Sequence, residues 1–569
     1  MVDSLVLYKG QLGVVRRLGD KKLAIDLAGG EQVSVRPKDI TVIHPGPSPH
    51  PSRLETIIGD PRTAWELLNG SQTTLRELAE LAYGDYSPSA AWAVCRLLSD
   101  GLYFGGTADR IVVHSRDQVE AIRLSRELKA AEERDWESFI SRAAAGRIAL
   151  DDERYLADVI ALALGRSDSS RTLKRLNKPQ TSESAHAFLL AAGRWRPVDN
   201  PYPARFGIKT EQPELPVGPM LDDHRRDLTG LLSLAIDDEG NTDPDDAISL
   251  DGDTLWVHIA DVAAMITTDH PADIEARSRG ANLYLPEGTI HMLPQQVTHL
   301  LALGLHAESP ALSIAIGLLP SAEVVLKEIT PSRIRVQRVS YEAAERSLAR
   351  SPYRELLAIA ERNRSRRIEA GAVEIDLPEV QIRTAIDGQV VIRPLPPLNS
   401  RQMVREAMLM AGEAIGRYAV ENDIPLGFAV QDPPTDIALT PKAEVNSLSR
   451  MWTQRRAMQR SRVLTVPGRH SGLGLDTYVQ VTSPLRRYLD LLAHQQLRLH
   501  LQGRPPIGHA DVVQRAGEYQ AVAGVVRSVE RFSNQHMTLV YLMQNAGWEG
   551  NGIVVENKHG SDIVLIPEL

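Results

Sequence analysis

The sequence predicts a multidomain protein: a small β-barrel, a winged helix-turn-helix and a helical connector, followed by one large mixed α/β domain. Three observations carry this reading. Apolar runs of strand length recur over residues 1–49, separated by Gly, Asp and Lys turns. Residues 52–117 hold three helical patterns and then a hairpin. From residue 226 to residue 545 strand and helix patterns interleave, the signature of a mixed α/β domain.

In chain order, SLVLYKG, QLGVVRRLG, KKLAIDLAG, EQVSVRP and DITVIHP read as the five barrel strands. The Pro-rich PGPSPHPS is a stiff linker. PRTAWELLNG, TTLRELAELAYG and SPSAAWAVCRLLSDG are the helices of the winged module, the last with Ser87 as its cap and Pro88 at its first position. LYFGG and RIVVHS form the wing, and residues 118–225 read as a helical connector. Beyond the large domain, residues 546–569 give two strand signals, GNGIVVE and SDIVLIPEL, expected to pair as a hairpin against it.

Composition narrows the class. Of 569 residues 43% are hydrophobic and 24% charged, as in ordinary globular proteins. Cys95 is the single cysteine, so neither an internal disulfide nor a cysteine-based zinc site is available, and a reducing, cytoplasmic setting is expected. The start MVDSLVLYKG lacks the pattern of a signal peptide. PALSIAIGLLPSAEVVL is too short and interrupted to span a bilayer, so no membrane is expected. The net charge of −9 argues against a polyanion partner, yet it conceals two basic runs, RNRSRR at 362–367 and RMWTQRRAMQRSR at 450–462. Either run could be a solvated helix face.

The most informative stretch is AIDDEGNTDPDDAISL. Asp237, Asp238, Glu239, Asp243, Asp245 and Asp246 fall within ten residues, between the strand-like runs LLSLAI and AISL. DGDT then turns the chain into LWVHIADV. Two such charges ~5 Å apart repel by roughly 3 kcal/mol at an effective dielectric near 20. Held together they call for a counter-ion, and hard oxygen donors select Mg²⁺ or Mn²⁺. A solvated turn is the plain alternative. A helix–loop–helix calcium site is a rival, but no register of the loop meets its template.

VTSPLRRYLDLLAHQQ should begin a helix, with Ser483 as N-cap and Pro484 at the first position. Arg486 and Arg487 then lie in the first turn, where the helix dipole disfavours cations. A bound phosphate would resolve the conflict, as would pairing of Arg486 with Asp490. Tyr284 precedes Pro-containing turns and could stack a base or fill a core.

Taken in order, IDDEGNTDPDDAI, HIADV, RSRGANLYLPEGTIHMLP, MVREAMLMAGEAI, GLGLDTYVQVTSPLRRYLDLLAHQQ and SVERF resemble the RNB catalytic domain of the RNase II/RNase R exoribonuclease family. The resemblance covers residues 226–545, and the N-terminal part resembles the cyanobacterial and organellar branch. It implies a processive, hydrolytic 3′→5′ exoribonuclease that degrades single-stranded RNA to nucleoside 5′-monophosphates with Mg²⁺ or Mn²⁺, acts as a monomer and needs no organic cofactor. By motif position Asp237, Asp243, Asp245 and Asp246 match the four catalytic aspartates, Asp245 being the most critical, and Arg486 the phosphate-positioning arginine, with Arg487 beside it. Tyr284 matches the tyrosine that packs on the 3′-terminal nucleotides, Glu406 a glutamate near the bound end, and Glu530 a glutamate at the site's margin.

Some positions depart from the family pattern. Gln480 and Val481 stand before Thr-Ser-Pro, His291 opens the Met-Leu-Pro element, and Ala429 replaces an expected arginine. The C-terminal segment is an incomplete OB-like piece. Two other functions remain in view: an inactive RNA-binding module on the same fold, and a DNA-binding regulator acting through the winged helix.

Overall fold

The computed structural model describes residues 2–19, 21–221, 223–434, 447–558 and 560–569. They form two compact units, Met1–Tyr155 and Leu156–Leu569.

In the first unit five antiparallel strands, Leu5–Tyr8, Gln11–Leu18, Leu23–Leu27, Gln32–Val35 and Ile40–His44, are bonded in the order fourth, third, second, first, fifth. Leu23, Ile25 and Leu27 point inward at alternate positions and join Val6, Val15 and Val35 in a small core. The five strands are those expected, but among the described residues no ladder joins the fourth to the fifth. A single helical turn, Pro37–Asp39, carries the chain from the fourth strand to the far side of the first, so the hydrogen bonding of the expected barrel stays open.

The winged module follows as read. Its helices are Pro61–Leu68, Leu75–Tyr83 and Pro88–Asp100, and its wing is Phe104–Thr107 with Arg110–Val113. Ser87 caps the third helix through the Ala90 N–H at 3.2 Å. A capping box of Ser115 and Gln118 then starts the long helix Arg116–Ala144.

The second unit is organised by a seven-stranded mixed sheet. Its order is Val336–Ser340, Ser233–Asp237, Asp246–Asp251, Thr254–Ala260, Ser309–Leu318, Val324–Ile334 and Arg226–Asp227, antiparallel in the middle and parallel at both edges. Strand alternation gives the sheet two unlike faces. Leu234, Ile236, Ile248, Val257, Ile259 and Ile314 pack against the helix Asn399–Glu421. Ala235, Ala247, Trp256 and Ala315 face the helices Tyr488–Leu501 and His509–Gln544. Each fully buried Leu, Ile or Val contributes about 1.5–3 kcal/mol. The helix Asn399–Glu421 lies close to the segment after Gly474 because Gly412 has no side chain: a Cβ there would sit 2.5 Å from the Val479 carbonyl oxygen.

His258, in the HIADV motif, is fully buried at the sheet centre between Ser249 Oγ at 2.9 Å and Ser313 Oγ at 2.6 Å. Burial pushes its pKa down to about 3, so it is a neutral scaffold group. The C-terminal strands Ile553–Lys558 and Ser561–Leu565 form the expected hairpin. It rests on the helix Ser447–Ala457, where Ser449 Oγ donates to the Val554 carbonyl at 3.1 Å and Arg456 pairs with Glu556. Among the described residues no helix is long and apolar enough to cross a membrane.

Candidate active site

The acidic loop connects two adjacent central strands, with Leu234 opposite Ile248, so its ends are fixed by the sheet. Asp251 faces Thr254 across the turn that follows, where Gly252 takes a positive φ of 56°. Asp237 ends the first strand and Asp246 opens the second. The loop between them is tied by its own side chains. Asp237 accepts from the Asp238 N–H at 2.8 Å and from Asn241 Nδ2, and Asn241 Oδ1 accepts from the Asp243 N–H at 3.1 Å. Asp243 also accepts from Asn282 Nδ2 at 3.3 Å.

Asp245 is the buried member of the set, 2% exposed. It accepts from the Leu485 N–H at 2.8 Å, and its other oxygen lies 3.0 Å from Arg486 Nε. Burial pushes its pKa up to about 8, against the pull of Arg486 and the Leu485 N–H, with Asp246 and Asp243 adding to the rise. Burial likewise raises Asp246 to about 6, Arg486 opposing and Asp237 adding. Asp237 is raised too, chiefly by burial. Burial also works against the Arg486 charge, but Asp245, Tyr284 and Asp246 more than offset it.

The expected helix start is corrected by the structure. Ser483 is not an N-cap: the helix begins at Tyr488, and residues 483–487 form a turn. Two buried carboxylates each take one backbone donor of that turn, Asp490 from Ser483 at 2.8 Å and Asp245 from Leu485 at 2.8 Å, while the Arg486 and Arg487 N–H groups donate to the Ser483 carbonyl. Arg486 is therefore held by the charge of Asp245 and by Ser483 Oγ, which accepts from its Nη2 at 3.2 Å, and not by a helix terminus. Arg487, not Arg486, pairs with Asp490, at 2.6 Å. The turn is further stitched to residues 280–282, the Asn282 N–H donating to the Arg486 carbonyl at 3.0 Å and the Tyr488 N–H to the Gly280 carbonyl at 2.9 Å.

Those bonds bring Tyr284 alongside. It sits in the hairpin Leu283–Leu285 and Gly288–Ile290, is 43% exposed, and is not a core residue. Glu530, on the helix His509–Gln544, accepts the Tyr284 N–H at 2.9 Å and so fixes the hairpin's position. Asn282, immediately before that strand, links Asp243 to this hairpin through Nδ2, 3.5 Å from the Tyr284 hydroxyl.

Glu406 does not reach the site. It is fully buried, and its oxygens are taken by Arg367, in part through Nε at 3.0 Å, and by Asn363 Nδ2 at 2.8 Å. The expected RNA contact is a structural ion pair. The RNRSRR run is absorbed the same way, Arg364 pairing with Glu374 and Arg366 with Glu413.

Asn241, Asn282, Tyr341 and Arg401 escaped sequence reasoning. Arg401 carried a usable signal, a cation near a helix start with Arg405 four residues on and so no local anion. Among the described residues no three His, Cys, Asp or Glu side chains converge into a closed metal shell. The donor set nevertheless fits a hard divalent cation: it is all carboxylate, and burial and mutual repulsion leave it short of positive charge.

A family model for the RNB domain matches residues 225–503, and one described as a double HTH domain matches residues 119–201, most of the stretch read as a connector. An uncharacterized ribonuclease of Synechocystis is 31% identical, with 99% of this chain and 94% of the relative covered. The chloroplastic/mitochondrial ribonuclease II of Arabidopsis thaliana is 28% identical over 91% and 73% of the two chains. This chain belongs to the RNB family of ribonucleases, on the cyanobacterial and organellar side expected from its N-terminal part. In fold it is similar to an active-site mutant of the Dss1 exoribonuclease from Candida glabrata (TM-score 0.64, 16% identity, 100% and 93% covered). It is also similar to yeast Ssd1, a pseudonuclease (TM-score 0.50, 17% identity, 61% and 50% covered).

Proposed function

We propose that this protein is a metal-dependent, processive 3′→5′ exoribonuclease that hydrolyses single-stranded RNA to nucleoside 5′-monophosphates and a short end oligonucleotide, working in the cytoplasm as a monomer. The observation that carries it is the joining of a buried carboxylate, Asp245, to a partly exposed guanidinium, Arg486, at the end of an acidic loop. Asp237, Asp243, Asp245 and Asp246 would hold divalent cations. When bound, these would offset the charge building on the scissile phosphate and ease deprotonation of the attacking water. Arg486 turns its exposed edge toward a phosphate while the Asp245 charge and Ser483 Oγ hold it in place. Tyr284 offers a ring face to a terminal base, and Glu530 holds that ring's backbone in place.

Inactive chains on this fold make activity the deciding test. Poly(A) RNA labelled at its 5′ end, and the matching DNA, are incubated with Mg²⁺ and then with EDTA. The reading expects RNA to pass from full length to a short limit product without a ladder, DNA to persist, and EDTA to stop the reaction. RNA that is bound but never shortened with Mg²⁺ or Mn²⁺ would assign the chain to RNA binding alone. Tight binding of duplex DNA in preference to RNA would favour the winged-helix regulator.

A further inference from the structure

Beside the acidic loop, where Arg338 donates to the Asn241 carbonyl, lies a further guanidinium, that of Arg401 on Asp238. The parallel strands Ser233–Asp237 and Val336–Ser340 end level with one another, Asp237 facing Ser340. Tyr341 follows, and the start of the helix Asn399–Glu421 is docked on it. Ser400 Oγ donates to the Tyr341 carbonyl at 2.8 Å, and Glu345 accepts from the Ser400 N–H at 2.8 Å and from Asn399 Nδ2 at 3.0 Å. This places the Arg401 guanidinium over the Tyr341 ring, 4.2 Å from its centre. Arg401 pairs with both oxygens of Asp238, Nη1 to Oδ2 at 3.4 Å and Nη2 to Oδ1. Asp238 is the neighbour of Asp237 and gives it its backbone N–H at 2.8 Å. Asp238 therefore has two ends with different partners: its N–H orients Asp237, and its carboxylate is taken by Arg401.

We propose that Arg401 is a positioning residue of this site: stacked on Tyr341, it holds the Asp238 carboxylate away from the cations so that only Asp237, Asp243, Asp245 and Asp246 contact them. Without Arg401 an unneutralised carboxylate adjoins four others and would compete with them for a bound divalent cation. The extra charge tightens cation binding, yet the cation is drawn toward Asp238 and away from the geometry set by the sheet. This inference rests on the cation-site reading above.

The test is a charge cycle in the full chain: wild type, Arg401→Gln, Asp238→Asn, and the double variant. Mn²⁺ binding without RNA is followed by the electron paramagnetic resonance of free Mn²⁺, and turnover of a short RNA is measured at saturating Mn²⁺. Arg401→Gln should bind Mn²⁺ about three- to tenfold more tightly, Asp238→Asn more weakly by a similar factor, and the double variant like wild type. Turnover at saturating Mn²⁺ should fall at least about tenfold in Arg401→Gln alone, stay near wild type in Asp238→Asn, and recover in the double variant. Arg401→Lys, which keeps the charge without the planar fork, should lie between wild type and Arg401→Gln in both readouts and decides the matter if Arg401→Gln does not fold. A double variant as slow as Arg401→Gln, or unchanged Mn²⁺ affinity in Arg401→Gln and Arg401→Lys, would overturn the inference and leave the cation site standing. A wild type that binds no Mn²⁺ would overturn both.

Discussion

Two carboxylate–guanidinium pairs in the second unit, each with a carboxylate expected at the site, behave differently in the structure. Glu406 and Arg367 are both buried, and their bonds are spent on one another and on neighbours: Asn363 donates to Glu406, and Arg367 reaches the Leu473 carbonyl at 2.9 Å. Asp245 and Arg486 also approach to 3.0 Å, but the facing atoms, Oδ2 and Nε, do not meet in hydrogen-bonding geometry, and the Arg486 side chain is 41% exposed. A saturated pair holds elements together. An unsaturated pair with one exposed partner keeps bonding capacity for a ligand. The first belongs to the scaffold and the second to the proposed reaction.

The contrast is broken most forcefully at Arg367. Arg367→Ala leaves Glu406 as an unpaired buried charge, which should cost about 3–5 kcal/mol. Urea unfolding should show that loss, while the molecules that remain folded cleave RNA at the normal rate. Arg486→Ala should do the reverse, cutting turnover about a hundredfold, equivalent to ~2.7 kcal/mol, with a smaller loss of stability than Arg367→Ala because Asp245 keeps the Leu485 N–H. Its neighbour sharpens the point. Arg487 pairs with the buried Asp490, so Arg487→Ala should destabilise by about 1–3 kcal/mol and slow turnover less than Arg486→Ala. Equal kinetic effects of the two would make them a general basic patch. Tyr284→Ala, at an exposed ring, should lose roughly 1–3 kcal/mol of stacking and leave a longer limit oligonucleotide on a denaturing gel. An unchanged end product would remove Tyr284 from the substrate path. The smallest effect is expected at Cys95, which is buried and whose pKa burial pushes up to about 12. Thiol reagents at pH 8 should leave it unmodified until the first unit unfolds, and labelling in the native protein would contradict that.

What could be read in advance follows from the range of the interactions involved. The strands flanking the acidic loop, the Gly252 turn, the Ser87 cap and the C-terminal hairpin are set by neighbours a few residues away, and all appear as expected. The helix after Ser483 does not. Its start is decided by Asp490 seven residues on and by Asp245, 240 residues earlier in the chain, and no local pattern reports such a partner. The same distance effect misplaced Glu406, whose partner Arg367 lies 39 residues upstream in a run that reads as exposed basic surface. Asn282 lies just outside the strand that carries Tyr284, so strand alternation does not report it, and its partner Asp243 is 39 residues away. Glu530 was placed near the site by resemblance, and the structure supplies its physical role as acceptor for the Tyr284 N–H.

The account turns on Asp245, and one substitution addresses it directly. Asp245→Asn keeps the shape and an oxygen to accept the Leu485 N–H, but removes the charge that faces Arg486 and the cations. RNA dissociation constant, turnover and unfolding midpoint are to be measured on the same preparation. The account predicts turnover lower by at least about a thousandfold, RNA binding equal to wild type or tighter because repulsion of phosphate is relieved, and a folded protein. A variant that still cleaves at more than a few per cent of the wild-type rate, or that loses RNA binding together with activity while remaining folded, would contradict it.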